Sequence, residues 1–364
     1  MREIISIAPG RTCLFGDHQD YLGLPIIACA INRHITLKAR ENNSNNFIIN
    51  LPDINQTRII PISEKALNLE KEDFFMSALK VLQRYHCIPN TGYEIEITSS
   101  IPINAGVSSS SALVVTWVQF LLKAFGPNEL LTPESVGQLT FESEVLEFHN
   151  PGGKMDQFSI GIGNIIYLET GNDFSYEVLQ APLSGLILAE SGVPKETIGL
   201  LKRVKENAWK AITEVQKRIP EFKIEESKVE DLEMYLSFLT DDLKPYLEAA
   251  IGNFNITKKA LLEFKKEVLD LHEIGDLMNR HHHYLKNLLK ITVPKIDTMI
   301  DAALNAGALG AKIVGSGGGG SIAVISPKNK EAQIIKAILN AGAKDAYCVA
   351  VAKGANVSEI NLLK

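Results

Sequence analysis

The pattern of the chain predicts an α+β fold, and three observations carry that prediction. Strand-like and helix-like runs alternate through the first half, a long apolar run follows a serine cluster at Ser108 to Ser111, and the second half is mostly helical until strand signals return near its end. The 364 residues with 45% hydrophobic content are enough for a substantial core, and the length favours two domains.

Ile4, Ile5 and Ile7 mark a first strand ahead of a turn-punctuated opening loop, and Pro25 to Leu37 is apolar and β-branched enough for a strand leaving it. In Tyr93-Glu94-Ile95-Glu96-Ile97-Thr98 apolar and polar residues alternate strictly, which reads as a half-buried strand. Ser109 to Phe125 reads as a helix stopped by Gly126 and Pro127. Gly171-Asn172-Asp173, Pro182, Gly192 and Pro194 break the pattern over 171–194, and a division into domains 1–180 and 181–364 is expected there. Beyond it, Leu261, Phe264, Val268 and Leu271 recur at helical spacing, as do Ile296, Ile300 and Leu304. Strands return at Lys312 to Val314, Ser321 to Ile325 and Tyr347 to Val351.

A formal net charge of −6 removes any general attraction to nucleic acid or an anionic membrane, so an anionic ligand must be held by local groups. The four cysteines, Cys13, Cys29, Cys87 and Cys348, are scattered, which argues against a disulfide framework or zinc site and for a cytoplasmic setting. The first residues do not read as a signal peptide, and no apolar run reaches the length of a membrane span.

Four constellations carry chemistry. Gly10-Arg11 and Gly16-Asp17-His18-Gln19-Asp20-Tyr21 crowd a cation, two carboxylates and an imidazole into one segment, which suits a small polyhydroxylated or anionic ligand or else is a polar loop. Gly106-Val107-Ser108-Ser109-Ser110 opens the predicted helix, where free backbone amides and the helix dipole favour an anion, or where a serine simply caps the helix. Glu144 and the Gly-rich turn Asn150-Pro151-Gly152-Gly153-Lys154-Met155-Asp156 offer carboxylates for a base and a metal ligand. Gly315-Ser316-Gly317-Gly318-Gly319-Gly320 satisfies Gly-x-Gly-x-x-Gly, but a strand follows it instead of a helix, so a dinucleotide fingerprint is rejected and close backbone approach to another loop or to a nucleotide is expected. His281-His282-His283 reads as a helix surface with one inward-facing ring, because consecutive helical residues point about 100° apart and do not converge on one ion.

In this order the motifs resemble the GHMP kinase superfamily, which includes galactokinase, homoserine kinase, mevalonate kinase and phosphomevalonate kinase. The opening segment is similar to the galactokinase signature, the serine loop to the family's phosphate-binding motif, Asn150 to Gln157 to the galactokinase segment ending Gly-x-Met-Asp-Gln, and the glycine run to the third motif. The resemblance implies a two-domain GHMP kinase fold, ribosomal protein S5-like in its N-terminal domain and ferredoxin-like in its C-terminal domain. It implies ATP-dependent transfer of the γ-phosphoryl group to the anomeric hydroxyl of galactose or a related sugar, with mevalonate or another small alcohol as the alternative acceptor and a non-catalytic sugar and ATP sensor as the alternative role.

By position, the resemblance makes Asp156 the catalytic aspartate and Arg11 the cation beside it. It makes Asp17, His18, Asp20 and Gly153 sugar contacts, Gly106, Val107, Ser108, Ser109 and Ser110 the phosphate loop, and Ser110 with Glu144 the ligands of Mg2+. His282 falls at a recurrent histidine. The implied partners are a small-molecule sugar and ATP, with no nucleic acid or membrane. Asp17 stands where galactokinases carry Glu, Lys154 adds a charge beside the proposed base, no counterpart is found for the tyrosine that packs on the sugar, and the segment 193–201 and the third motif are closer to mevalonate kinase. Asp20-Tyr21 nevertheless favours a sugar.

Overall fold

A computed structural model describes residues 2–63, 69–102, 106–171, 174–194 and 197–361. Parts of three expected features, at residues 103–105, 172–173 and 195–196, lie outside the described residues. The first half contains β1 (Arg2–Phe15), β2 (Ile26–Glu41), β3 (Asn46–Leu51), β4 (Gln56–Pro61), α1 (Phe74–Gln83), β5 (Tyr93–Ser99), α2 (Ser109–Phe125), α3 (Pro133–Phe141), α4 (Met155–Ile162), β6 (Ile165–Glu169) and β7 (Ser175–Leu179). The second half contains β8 (Leu186–Glu190), α5 (Thr197–Gln216), α6 (Leu232–Ser237), α7 (Lys244–Phe264), α8 (Leu271–His283), α9 (Pro294–Asn305), β9 (Gly310–Ile313), β10 (Ser321–Ile325), α10 (Glu331–Asn340), β11 (Asp345–Cys348) and β12 (Asn356–Asn361).

The larger sheet runs β12-β1-β2-β5-β3-β4, with β6 and β7 added on the other end of β2. The length of β2 explains this fork: Ile35 to Glu41 pair with β5, whereas Ile26 to Cys29 pair with β6. A second, wholly antiparallel sheet runs β11-β8-β10-β9. Helices and sheets in these two groups form the two-domain α+β architecture. The final strand departs from a division at residue 180, because β12 crosses back to pair with β1.

β1 continues through Pro9 and Gly10, where the expected loop begins, by a shift of register against β2. Bulges of this kind re-aim side chains without ending the strand, and Arg11 therefore projects from a strand. The predicted helix at Ser109–Phe125 is α2, and it packs Trp117, Phe120 and Leu121 into the core. The run Leu261 to Leu271 is not one helix. α7 ends at Phe264, Val268 is 80% exposed, and Asp270 starts α8 by accepting from the backbone N–H of His272 at 2.9 Å. A strong N-cap overrides the apolar spacing there.

Candidate active site

A cavity of about 600 Å³ lies between the end of β1, the start of α2, the turn before α4 and the first turns of α5. Asp156 is at its floor. The Arg11 guanidinium donates from Nε to Asp156 Oδ1 at 2.8 Å and from Nη1 to the Gly106 carbonyl at 2.8 Å, while Ser108 Oγ donates to Asp156 Oδ2 at 2.6 Å. Ser108 is thus not the helix cap that its position allows. It sits at φ 59°, makes no cap hydrogen bond, and spends its hydroxyl on the aspartate. Burial works against the charge of Arg11, and Asp156 more than restores it.

Gly106 and Ser108 to Ser110 line the cavity, and Val107 between them turns its side chain away from it. That apolar side chain is 1% exposed in the core, and the Val107 carbonyl accepts from the Arg11 backbone N–H at 3.1 Å. Glu144 stands beside this loop. It accepts from Ser110 Oγ at 2.9 Å and from Gln157 Nε2 at 2.7 Å, and burial raises its pKa. Among the described residues no cation lies within 4.0 Å of it. An all-oxygen set with one desolvated carboxylate fits a magnesium ion whose coordination is completed by phosphates and water, and no cage of several carboxylates or histidines is found among the described residues.

Asp20 lines the same cavity, its Oδ2 accepting from the Met155 backbone N–H at 3.4 Å in the turn that carries Asp156. A Cβ on Gly153 would lie 2.2 Å from Asp20 Oδ2, so only glycine admits that carboxylate. Burial first, then the nearby charge of Asp156, pushes the Asp20 pKa up to about 6. Lys154, beside Gly153, turns its ammonium over the rings of Phe174 and Phe141 at 5.5 and 6.0 Å. Its charge is directed at those rings.

Asp17 and His18 line the cavity as well, and their polar atoms are also engaged with the glycine run. Asp17 Oδ2 lies 2.6 Å from the Lys312 ammonium with both side chains at 0% exposure, and Oδ1 accepts from the Gly315 backbone N–H at 2.8 Å. Burial would raise the Asp17 pKa, yet Lys312 and these hydrogen bonds hold it at about 2. His18 Nε2 meets the Ser316 carbonyl at 3.1 Å and Nδ1 meets the Tyr21 hydroxyl at 2.8 Å. A carbonyl only accepts, so Nε2 carries the proton and Nδ1 accepts from Tyr21. Burial lowers the His18 pKa to about 4, which keeps the ring neutral at pH 7. Both residues tie the opening segment to the glycine run.

That run needs its glycines for close approach to other loops. A Cβ on Gly317 would lie 2.5 Å from the Ile291 carbonyl, and one on Gly319, at φ 137°, would lie 2.6 Å from that of Val193. Two of the three histidines face inward, not one: His281 is 0% exposed and stacks on Phe15 at 6.1 Å, and His282 is 8% exposed. The sequence reading missed Lys312 and Gln157. Lys312 had one signal, a lone charge within the apolar run Ala311 to Val314.

Three family models match successive parts of the chain: "Galactokinase galactose-binding signature" over residues 2–41, "GHMP kinases N terminal domain" over 73–164 and "GHMP kinases C terminal" over 258–345. The chain belongs to the GHMP kinase superfamily. It is an ATP-dependent phosphotransferase with an alcohol acceptor. A mevalonate kinase of Thermococcus gammatolerans is 26% identical over 98% of this chain and 99% of its own length. A galactokinase of Thermotoga maritima is 28% identical over 88% of this chain and 89% of its own length. The fold matches that of Lactococcus lactis galactokinase complexed with galactose, at a TM-score of 0.85 and 22% identity, over 97% of this chain and 95% of that one. No helix among the described residues is long and apolar enough to cross a membrane.

Proposed function

We propose that this GHMP kinase is a sugar kinase of the galactokinase type, transferring the γ-phosphoryl group of ATP to the anomeric hydroxyl of galactose or a related sugar. The observation that carries the reading is a pair of carboxylates lining one cavity, Asp156 held by Arg11 and Asp20 admitted beside it by Gly153. Asp156 accepts or orients the proton of the attacking hydroxyl, with Arg11 balancing its charge and Ser108 fixing its plane. Asp20 accepts from neighbouring ring hydroxyls, a polyol contact for which mevalonate, with fewer hydroxyls, has less use. Asp17 and His18 act as anchors for the glycine run.

The triphosphate lies along Gly106 to Ser110, where backbone amides at the start of α2 meet negative charge. Glu144 and Ser110 are the residues that would hold magnesium. When bound, the ion offsets negative charge on the phosphoryl oxygens. The protein's share is alignment of hydroxyl and phosphate, which a loose transition state chiefly requires. ADP release across hexoses, pentoses, uronic acids and mevalonate tests the reading, with turnover expected on a hexose or a close relative. Turnover of mevalonate alone overturns it in favour of the other branch that the relatives represent, and binding of sugar and ATP without turnover of any acceptor leaves the sensor role.

A further inference from the structure

Two cations of α5 stand close to residues of the cavity wall without a carboxylate partner. Arg11 and Lys312 each have a carboxylate partner, Asp156 and Asp17. Lys205 and Arg203, on the first half of α5, have none within 4.0 Å among the described residues. Lys205 Nζ donates to the Pro151 carbonyl at 3.2 Å and lies 5.8 Å from the centre of the Tyr21 ring, and both of these residues belong to the cavity wall. The ammonium therefore stands beside the part of the wall formed by Pro151 and Tyr21. Arg203, two residues earlier on α5, is half-buried with neutral partners, the Tyr246 hydroxyl at 2.8 Å and the Leu289 carbonyl at 3.0 Å, and its charge acts on His18 and Tyr21.

Partly desolvated cations with neutral partners lose hydration without gaining a counter-charge, and a carboxylate or phosphate is the group that repairs this. Of the neighbouring polar groups, Tyr21 donates to His18, Asp17 is neutralised by Lys312, and Asp20 as a carboxylate does not attract an anion. Lys205 holds a single carbonyl at the rim, a bond that a long flexible stem exchanges easily for a charged partner.

We propose that the acceptor is an anionic sugar whose carboxylate or phosphate group is taken by Lys205 at the cavity rim, with the Arg203 guanidinium supporting it. This rests on the sugar-kinase reading and narrows its substrate class. The test is kcat/KM for D-galactose, D-galacturonate and D-galactose 6-phosphate in the wild type, in Lys205→Met and in Lys202→Met, an exposed lysine of the same helix.

The expected result is a preference for one charged sugar over galactose of about tenfold or more, the scale of one hydrogen bond to a charged group. The two charged sugars separate a carboxylate source from a phosphate source. Lys205→Met collapses the charged-to-neutral ratio by about tenfold while Lys202→Met leaves it in place, and added salt lowers it in the wild type. A wild-type preference for galactose, or a ratio that Lys205→Met does not move, overturns the proposal while leaving the sugar kinase standing. Turnover of mevalonate and of no sugar overturns the sugar reading itself.

Discussion

Asp156 has both carboxylate oxygens committed, one to Arg11 and one to Ser108, and its side chain is still 29% exposed to the cavity. Asp156→Asn keeps the shape and removes the acceptor charge, so turnover is expected to fall by about 10²–10⁴-fold, the range for a general base, while ATP affinity holds. Steady-state rates and calorimetric ATP titration check this, and wild-type turnover removes Asp156 from the chemistry. Glu144→Gln keeps both neighbouring hydrogen-bond partners but loses charge, so the magnesium concentration for half-maximal rate is expected to rise roughly tenfold. An unchanged requirement takes Glu144 out of the metal shell. Asp20 gives a pH dependence with a definite sign. Its pKa of about 6 means that the carboxylate which accepts from sugar hydroxyls is populated only as pH rises through 6, so kcat/KM should climb across that interval. Asp20→Asn should flatten the limb as well as lower the plateau; a limb that survives the substitution belongs to another group. The sequence singled these residues out, and the structure brings them to one cavity, but the role of each came from the resemblance and not from local pattern. Arg11 was legible as a cation but not as a strand residue, because the register shift at Gly10 that carries β1 past it is a pairing property of β2.

At the scale of elements, the opening segment and the glycine run are joined by the Asp17–Lys312 pair, the Gly315 amide and the His18–Ser316 bond. Local sequence could not show this. The partners stand almost 300 positions apart, 298 for both Asp17–Gly315 and His18–Ser316, and neither the polar cluster nor the resemblance, which made Asp17 and His18 sugar contacts, names these partners. The same reading succeeded for α2, where a serine start and a Gly-Pro stop are local signals, and failed for the run across Leu261 to Leu271, where a cap competes with apolar spacing. Removing one partner of a fully buried ion pair strands the other charge, so Lys312→Met is expected to cost about 3–5 kcal/mol in urea unfolding. Asp17→Asn with Lys312→Met should cost less than the sum of the two single changes, since neither charge is then left alone; strict additivity would mean that the pair is not a unit. The pH sign follows from the depressed Asp17 pKa. The pair contributes fully above the ordinary value near 4 and is lost as pH falls toward 2, so the wild-type advantage over Asp17→Asn should shrink in that window.

Across the whole molecule, the two halves share their interiors. One core combines Ile4, Trp117 and Ile160 with Phe264, Met278 and Ala323, the other draws Tyr21, Leu22 and Leu24 in among residues of α5 and α7, and β12 completes the first sheet from the far end of the chain. Composition breaks over 171–194 signalled a boundary, but no local pattern announces that the chain returns. Buried faces that are completed only by the other half make independent folding of 1–180 unfavourable, because severing them exposes apolar area to water. The intact protein is therefore expected to unfold in one cooperative transition. Trp117, 1% exposed, reports on the first half, and most of the helical signal comes from α5 and α7 to α10 in the second. In Trp209→Phe, which removes the half-exposed second tryptophan, fluorescence and far-ultraviolet circular dichroism should give superimposable urea curves. Separate midpoints for the two probes would show that the halves unfold as independent domains despite their common cores.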